Sequence, residues 1–443
     1  MAERAQDTQV DVIVCGAGPA GVFALRELHR AGLRAICLEA RQRIGGRIHT
    51  VRSVSQRHPT ELGAEFIHGK DAVTWKYINE FGLETQEFPS GKAHVDGALN
   101  VDHSQQCMAA LHAMAISASK SGKGDTPLKE FLRSPEVTVL LDQSHLTRRQ
   151  LQQLLKNDLS APLGQLSVQS LVDVQTDGYQ SNHRIVGGYG ELIRRAAEGL
   201  DIRTGCPVRR IVWEPQNIDV FTAREKFHAR YAVITLPVGV LQARDVAFDP
   251  ALPKDFLDAL HALDPGRAVK SAMVFRRNEK GKAFWPDDVP QIITPMKTQL
   301  YWRSDWGEPQ SRGAFSVNNL TAGLDAEYFD DEESPVDRMD ILLRQLGHIF
   351  GRSLGKMRSM LKVGKQVAWH NDQYAKTGYS TLRAEGDPAA RKVLGTPIHN
   401  TLFFAGEATR CSEEDVASVH GAIDSGLITA QRILACEKVE SAA

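Results

Sequence analysis

The sequence has neither a long apolar segment nor an excess of positive charge. No run of about 18 apolar residues occurs in its 443 residues, so no membrane-spanning helix is predicted. Lysine and arginine together number 53, and aspartate and glutamate 54, which leaves a formal net charge of −1. Because non-specific phosphate binding needs a basic surplus, this balance argues against a general nucleic-acid-binding protein. We therefore expect neither a membrane nor a nucleic acid among its partners.

The 6 cysteines form no CxxC pair and have no metal-site spacing. The first residues, MAERAQDTQV, are polar and lack the apolar core of a signal peptide. These two absences predict a cytoplasmic protein with reduced thiols. The composition, 42% hydrophobic and 24% charged, is typical of a globular protein, and the length predicts two or three domains.

The segment VDVIVCGAGPAGVFALRELHRAGLRAICLEA predicts a strand, a glycine turn, a helix and a second strand. Gly16, Gly18 and Gly21 have G-x-G-x-x-G spacing, and Glu39 follows 18 residues after the third glycine. Such glycines let the backbone approach a pyrophosphate at a helix N-terminus, and the acid can bind ribose hydroxyls. The segment therefore predicts an α/β fold with a Rossmann-like dinucleotide-binding domain.

Dinucleotide-domain character returns in two later parts of the chain. RIVGGYGELIRRAAEGLDIRTGCPVRRIVW and YAVITLP suggest further strands and a helix, and the chain closes with TLFFAGE and a helix. Between these parts lie helices from about 90 to 180 and predicted strands around 269–275 and 291–302. We predict a nucleotide-binding domain from residues 1–70, 183–245 and 365–443, and an interleaved α+β substrate-binding domain from 71–182 and 246–364.

The stretch GRAVKSAMVF predicts a strand with a lysine at its centre. Lys270 has no acidic residue within 5 positions on either side. Alternation places it on one face with Ala268, Ala272 and Val274, and both faces of the strand are mixed. The pattern leaves open whether Lys270 is solvated or held inward.

Six blocks resemble the flavin-containing amine oxidases, a family of monoamine, polyamine and spermine oxidases and lysine-specific histone demethylases. In chain order they are GAGPAG, LEARQRIGGRIHT, ELGAEFIHG, VITLPVGVL, VKSAMVF followed by AFW, and FFAGEAT with SVHGAIDSG. The resemblance runs from residue 11 to about 434 and is closer to the polyamine oxidase branch. It implies that the nucleotide-binding domain is an FAD-binding domain.

The resemblance also assigns residues to the FAD. Arg47 would reach the pyrophosphate or the flavin, Glu39 the ribose and Val208 the adenine, although any strand could carry a valine there. Glu407 would meet the ribityl or phosphate region, and the backbone at Val419 the pyrimidine ring of the flavin. The rest of the expected set is Gly16, Gly18, Pro19, Ala20, Gly21, Ala40, Arg41, Gly45, Gly46, Gly63, Ala64, Glu65, Phe66, Trp369 and Gly406.

One position separates the chain from the monoamine oxidases. They carry a flavin-bonded cysteine before the tyrosine that corresponds to Tyr379, and here that position is Gly378. The resemblance therefore implies FAD that is held without a covalent bond. Ser418 stands where the second aromatic wall of monoamine oxidases would be.

Four residues are expected to contact the substrate, namely Glu65, His68, Tyr379 and Ser418. Glu65 and Phe66 stand where related L-amino-acid oxidases carry Met-Arg, and an acid there suits a cationic amine rather than a carboxylate. His68 matches a histidine of animal polyamine oxidases, and a histidine satisfied by local hydrogen bonds is the alternative. On sequence alone Trp369 and Tyr379 would be core aromatics. By resemblance Trp369 lies near the flavin and Tyr379 forms one wall of the amine slot.

The resemblance predicts an FAD-dependent oxidase of a small-molecule amine. Hydride would pass from the amine α-carbon to flavin N5, the imine would be hydrolysed to an aldehyde or ketone, and O2 would reoxidise the flavin to give H2O2. Lys270, Tyr379 and Trp369 are the catalytic candidates, with Lys270 holding a water on N5. A homodimer, a non-amine desaturase or dehydrogenase and an L-amino-acid oxidase stay open. A histone demethylase is less expected, because no helical accessory domain or coiled-coil insertion is recognised.

Overall fold

The computed structural model describes residues 8–52, 59–89, 92–95, 98–101, 104–144, 146–173, 182–307, 313–331, 334–410 and 416–442. The strands are β1 (Thr8–Gln9), β2 (Val12–Cys15), β3 (Ala35–Leu38), β4 (Thr50–Val51), β5 (Thr60–Glu61), β6 (Ile67–His68), β7 (Thr85–Phe88), β8 (Lys92–Val95), β9 (Ala98–Val101), β10 (Asn182–Ile185), β11 (Ile202–Arg203), β12 (Arg210–Glu214), β13 (Asn217–Phe221), β14 (Lys226–Ala229), β15 (Tyr231–Ile234), β16 (Ala247–Asp249), β17 (Leu263–Asp264), β18 (Ala268–Arg276), β19 (Gln291–Ile293), β20 (Leu300–Arg303), β21 (Ala314–Ala322), β22 (Leu361–Ala368), β23 (Thr381–Leu382) and β24 (Leu402–Phe404).

The helices are α1 (Pro19–Arg30), α2 (Thr74–Phe81), α3 (Ser104–Ala118), α4 (Leu128–Phe131), α5 (Pro135–Gln143), α6 (Arg148–Leu159), α7 (Gln169–Val172), α8 (Tyr189–Ala196), α9 (Val238–Gln242), α10 (Lys254–His261), α11 (Pro335–Ile349), α12 (Leu354–Met360), α13 (Ala390–Leu394) and α14 (Val419–Ala442). Within the described ranges, no helix combines the length and the apolar character that a membrane crossing needs.

A parallel five-stranded sheet in the order β11-β3-β2-β15-β24 forms the first half of the fold. Strands β2 and β3 are fully buried and are joined by α1, as expected for a sheet that is covered on both faces. Helix α14 packs on α1 so closely that a Cβ on Gly426 would lie 2.2 Å from the carbonyl oxygen of Ala20. The predicted strand, glycine turn, helix and second strand are confirmed.

A seven-stranded sheet in the order β22-β18-β21-β20-β19-β8-β9 forms the second half. Helix α11 packs one face of it through Leu342 and Leu346, which join a core with Phe275 and Phe315. The opposite face of β18 turns toward the first half of the molecule, and this arrangement places Lys270 between the two sheets.

The packing departs from the expected boundaries at three places. Strands β8 and β9 join the second sheet, so the helical part begins at Ser104 rather than near residue 90, and residues 90–91, 96–97, 102–103, 145 and 174–181 lie outside the described residues. Strand β22 hydrogen-bonds to β18 across the expected boundary at 364/365. Helix α10 packs on the first sheet, where the rings of Phe256 and Phe404 lie 4.3 Å apart. Strand pairing between distant segments, which local patterns do not encode, explains the first two departures.

The helical part from α3 to α7 has a core of its own. Leu151, Leu155 and Leu159 of α6 are fully buried in it. Thr147 and Gln150 form a capping box at the start of α6. The end of α6, with Asn157, lines a large cavity between the two sheets.

Candidate active site

A cavity of about 660 Å³ lies between the two sheets and is lined by residues from both. It brings together every predicted site residue except Gly21 and Gly45, which do not line it. The residues that line it are Gly16, Gly18, Pro19, Ala20, Glu39, Ala40, Arg41, Gly46, Arg47, Gly63, Ala64, Glu65, Phe66, His68, Val208, Lys270, Trp369, Tyr379, Gly406, Glu407, Ser418 and Val419. We call the part near α1 the nucleotide end and the part near Lys270 and His68 the amine end.

Glycine geometry shapes the nucleotide end. A Cβ on Gly21 would lie 1.9 Å from the carbonyl oxygen of Gly16, so only glycine lets α1 start against the turn. A Cβ on Gly18 or on Gly406 would meet nothing within 4 Å, although both residues line the cavity. Side chains there would fill a cradle that the glycines leave free. This cradle fits a dinucleotide laid across the start of α1.

Glu39 is held rigidly at the same end. One carboxylate oxygen accepts a hydrogen bond from the Ala17 N–H at 2.8 Å, and the other accepts one from the Arg41 N–H at 2.8 Å. The side chain is buried, and its fixed acceptors at the end of β3 suit ribose hydroxyls. The donor set therefore also fits a dinucleotide.

Arg47 reaches the middle of the cavity and is anchored there. Its guanidinium donates to the Gly378 carbonyl at 2.7 Å and to Glu407 Oε1 at 3.1 Å. The other oxygen of Glu407 accepts from the Ser380 hydroxyl at 2.6 Å. Burial opposes ionisation of Glu407, but Arg47 and Arg391 outweigh it and hold its pKa below the usual value. Arg47 is thus a cation that is positioned before any ligand binds.

Trp369 is fixed by contacts at both ends of its ring. Its indole N–H donates to the Leu62 carbonyl at 2.9 Å, and Arg41 lies 5.9 Å from the ring centroid. Arg41 is itself held by a bidentate ion pair with Asp372. The indole therefore forms a rigid wall of the cavity.

Lys270 is held inward by an acid that is remote in sequence. Its ammonium lies 2.9 Å from Glu65 Oε2, donates to the Gly63 carbonyl at 3.2 Å and sits 4.4 Å from the centroid of Trp302. Lys270 is only 4% exposed. The strand pattern left open whether Lys270 is solvated or held inward. In the structure β18 is buried on both faces, and the Lys270 side chain points into the cavity.

Glu65 gathers donors from three directions. Besides Lys270, it accepts from the Trp302 indole N–H at 2.9 Å and the Asn318 amide at 3.0 Å, and Arg184 lies at 3.8 Å. Burial favours the neutral acid, but Lys270 and Arg184 outweigh it and hold the Glu65 pKa below its usual value. Since Lys270 compensates its charge, Glu65 does not present a free carboxylate to a cationic substrate. That Glu65 contacts the substrate stays a prediction, but attraction between a free carboxylate and a cationic substrate no longer supports it.

His68 is a partly buried, neutral imidazole at the amine end. Strands β6 and β10 pair His68 with Asn182, and the imidazole Nδ1 lies 2.7 Å from the Asn182 amide oxygen. Burial lowers the His68 pKa to about 4. With Nδ1 donating to Asn182, Nε2 keeps its lone pair and is an acceptor.

Aromatic side chains complete the amine end. Phe66 lies 5.9 Å from Trp302 and 6.3 Å from His68 between ring centroids. Across the cavity the Tyr379 hydroxyl donates to the Asn157 carbonyl at the end of α6, and burial raises the Tyr379 pKa. The fixed hydroxyl sets the orientation of the ring.

Helix α14 begins at the cavity wall. The Ser418 hydroxyl accepts from the Gly421 N–H at 2.9 Å and so caps the helix. Val419, the first residue of α14, lines the cavity. The helix N-terminus there provides a positive end dipole that favours negative charge.

The sequence did not point to Asn157, Asn182, Trp302 or Asn318. They lie on α6, β10, β20 and β21, and each reaches the site through a packing or register partner. The Trp302 indole and the side-chain amides of Asn182 and Asn318 are found only once the strands are paired, and the Asn157 carbonyl only once α6 is packed. Among the described residues, no cluster of histidine, cysteine, aspartate or glutamate could hold a metal ion.

Comparison with known proteins shows the family and the fold of the chain. The sequence pattern of the family described as flavin containing amine oxidoreductase matches residues 19–434. Lysine-specific histone demethylase 1 homolog 2 of Oryza sativa subsp. japonica is 28% identical over 97% of this chain, which spans only 57% of that protein. Polyamine oxidase 2 of Arabidopsis thaliana is 27% identical, with 97% of this chain and 89% of that protein aligned.

Solved structures share the fold at lower identity. A putrescine oxidase bound to putrescine superposes with a TM-score of 0.76 at 20% identity, covering 97% of this chain and 100% of that one. The cyclohexylamine oxidase from Brevibacterium oxydans superposes with a TM-score of 0.74 at 20% identity, covering 97% and 99%.

Proposed function

The chain belongs to the flavin-containing amine oxidoreductase family, and from that premise we propose that it is an FAD-dependent oxidase of a small amine, with the FAD held without a covalent bond. One observation carries the proposal. A single cavity runs from the glycine cradle of α1 to a group of buried aromatics, a neutral imidazole and a paired lysine. A dinucleotide and a small organic substrate can therefore lie end to end in it.

FAD is the dinucleotide that this donor set suits. Glu39 would bind the adenosine ribose, the start of α1 the pyrophosphate, and Arg47 the negative charge beyond it. The N-terminus of α14 would lie at the far ring system, where its dipole favours negative charge. Gly378 offers no nucleophile, and among the described residues that line the cavity there is no cysteine, which supports non-covalent binding.

When bound, the flavin would supply the acceptor for a hydride from the substrate α-carbon. The side chains of the amine end then orient and desolvate the substrate. Nε2 of His68 can accept an N–H of the amine, because the Asn182 contact leaves its lone pair free. Tyr379 and Phe66 flank the apolar part of the substrate and exclude water.

The charges at the amine end favour an amine over an amino acid. Lys270, the lysine at the amine end, is paired with Glu65, so it is not left to bind a substrate carboxylate. A neutral histidine and aromatic rings accept an uncharged amine without an ion pair. Lys270 keeps an ammonium at the cavity wall, where it would assist the step that uses O2 and yields H2O2.

The purified protein tests the proposal in two stages. Acid precipitation should release a yellow cofactor that chromatography identifies as FAD, whereas colour that stays with the precipitate would show a covalent link. Anaerobic mixing with diamines, alicyclic amines, aromatic amines, a methylated lysine peptide and L-amino acids should bleach the flavin with at least one amine, and air should then restore the colour with release of peroxide. The oxidase proposal fails if no amine bleaches the flavin.

A further inference from the structure

A second cavity, of about 30 Å³, lies behind Glu65. Its polar wall consists of Glu61, Glu65, Gln86, Arg184 and Ser304. Among the described residues, Glu65 is the one that lines both this cavity and the main one. The Lys270–Glu65 pair therefore separates the two spaces.

The small cavity has the size and chemistry of a water site. A polar space of this volume holds one water, which needs two to four polar partners. Ser304 is 8% exposed, and its hydroxyl has no hydrogen-bond partner within the described part of the chain. Two carboxylates and a guanidinium face the same space. A water there would satisfy the serine and bridge the two acids.

The two carboxylates differ in their partners. Glu65 is paired with Lys270, whereas Glu61 accepts only from the Tyr189 N–H at 2.7 Å and the Thr50 hydroxyl at 2.8 Å and, among the described residues, has no ion pair. Burial raises the Glu61 pKa to about 7. Glu61 can therefore hold a proton near neutral pH, while Glu65 stays a carboxylate that can accept one.

The charged and titratable groups around Glu61 are few. Glu65 disfavours its ionisation and Lys270 favours it, and the buried phenol of Tyr189 has its own pKa raised by burial and by Glu61. Arg184 lines the same cavity. Residues 186–188 line the outer side of the cavity. Val186 is 42% exposed, so this segment separates the cavity from solvent.

We propose that a water in this cavity links Glu61 to the Lys270–Glu65 pair, and that Glu61 returns protons to Lys270 from the solvent side. When Lys270 gives a proton to a group in the main cavity, its N–H bond breaks and the electron pair stays on nitrogen. The O–H bond of Glu61 then breaks, the proton passes through the water and Glu65, and a new N–H bond forms on Lys270. Glu61 is left as a carboxylate and regains its proton from solvent. The use of this path during turnover rests on the proposed function.

Glu61 could instead have a purely structural role, in which it caps α8 by accepting from the Tyr189 N–H. The substitution Glu61→Gln distinguishes this role from the proton relay, because the amide oxygen still accepts that hydrogen bond but the side chain has no titrating proton. Ser304→Val is a second variant, since its methyl groups fill the cavity and displace the water. Glu191→Gln is the matched control, because Glu191 lies in the first turn of α8, outside the small cavity.

Carboxyl NMR of the holoenzyme with ¹³C-labelled glutamate tests the site independently of turnover. We expect one carboxyl signal to titrate near pH 7, well above the pKa of 4.5 of an ordinary glutamate. The signal should vanish in Glu61→Gln, shift in Ser304→Val and persist in Glu191→Gln. The proposal is overturned if no glutamate titrates near neutrality, or if the signal survives in Glu61→Gln.

Stopped-flow mixing of the reduced enzyme with O2 tests the relay. Glu61→Gln and Ser304→Val should slow this step at least about tenfold and remove its pH dependence near neutrality. An unchanged profile in both variants would overturn the relay while leaving the oxidase proposal intact. If instead no amine is oxidised, the proposed function fails, and the NMR titration still decides whether Glu61 is a proton-holding site.

Discussion

The two ends of the main cavity are built in different ways. The nucleotide end is made of backbone, since glycines at the start of α1 and before α14 open a cradle that side chains would fill. The amine end is made of buried side chains that come from segments far apart, and its centre is the ion pair of Lys270 and Glu65. Substitutions at the first end should therefore act through shape, and substitutions at the second through charge and protonation.

Gly21→Val should have the largest effect, because the backbone of the glycine turn leaves no room for a side chain at this position. A Cβ there would lie 1.9 Å from the Gly16 carbonyl oxygen, so α1 must move. We expect a loss of about 5 kcal/mol in the free energy of unfolding and of most bound FAD. Urea unfolding and the ratio of flavin to protein absorbance measure the two losses.

Gly355→Ala is the control for this prediction. Gly355 lies in α12, and a Cβ there would meet nothing within 4 Å, so alanine should be neutral or slightly stabilising. Full FAD content in Gly21→Val would show that the turn is not part of the cradle.

Lys270→Met should have the next largest effect, because it leaves Glu65 buried without its cation. Removing one partner of a buried pair costs about 3 to 5 kcal/mol. The double variant Lys270→Met/Glu65→Gln should recover most of that stability, because no unpaired charge remains. Reoxidation of the reduced enzyme by O2 should stay slow in both variants, while FAD content changes little.

The exposed pair of Lys254 and Asp258 provides the contrast. Lys254→Met should leave the free energy of unfolding nearly unchanged, since both side chains are solvated. If Lys270→Met is reoxidised by O2 at the parental rate, Lys270 has a structural role and does not assist the reaction with O2.

The same contrast explains what the sequence could predict. The glycine turn, α1 and Glu39 lie within one short segment, so spacing alone indicates their function. Glu65 and Lys270 are 205 positions apart, and the pairing of β18 with β21 and of β20 with β21 is needed before Trp302 and Asn318 meet them. Family resemblance placed Lys270, His68 and Tyr379 near one another, but it did not supply their partners. Local patterns also do not encode the pairing of β22 with β18, which crosses the expected boundary at 364/365.

Glu61 should make the stability of the amine end depend on pH. Its folded pKa of about 7 exceeds the ordinary value of 4.5, so the folded state binds more protons between these two values. The contribution of Glu61 to the free energy of unfolding should therefore fall as pH rises through this range, by on the order of 3 kcal/mol. Glu61→Gln should remove this fall, which urea unfolding at a series of pH values would detect. An identical pH slope in the variant and the parent would contradict the prediction.

Asn182 should have the smallest effect, because it positions His68 without carrying charge. Asn182→Ala removes the acceptor that keeps a proton on Nδ1 of His68, so Nε2 should no longer be fixed as the acceptor of the amine. We expect kcat/KM to fall about tenfold, or about 1.4 kcal/mol, with little change in unfolding. Imidazole ¹⁵N NMR should show one tautomer in the parent and a mixture in the variant. Asn182→Asp gives the opposite test, since a carboxylate beside the partly buried ring should raise the His68 pKa from about 4 and add a pH-dependent limb to kcat/KM. If both variants keep the parental tautomer and pH profile, Asn182 does not position His68.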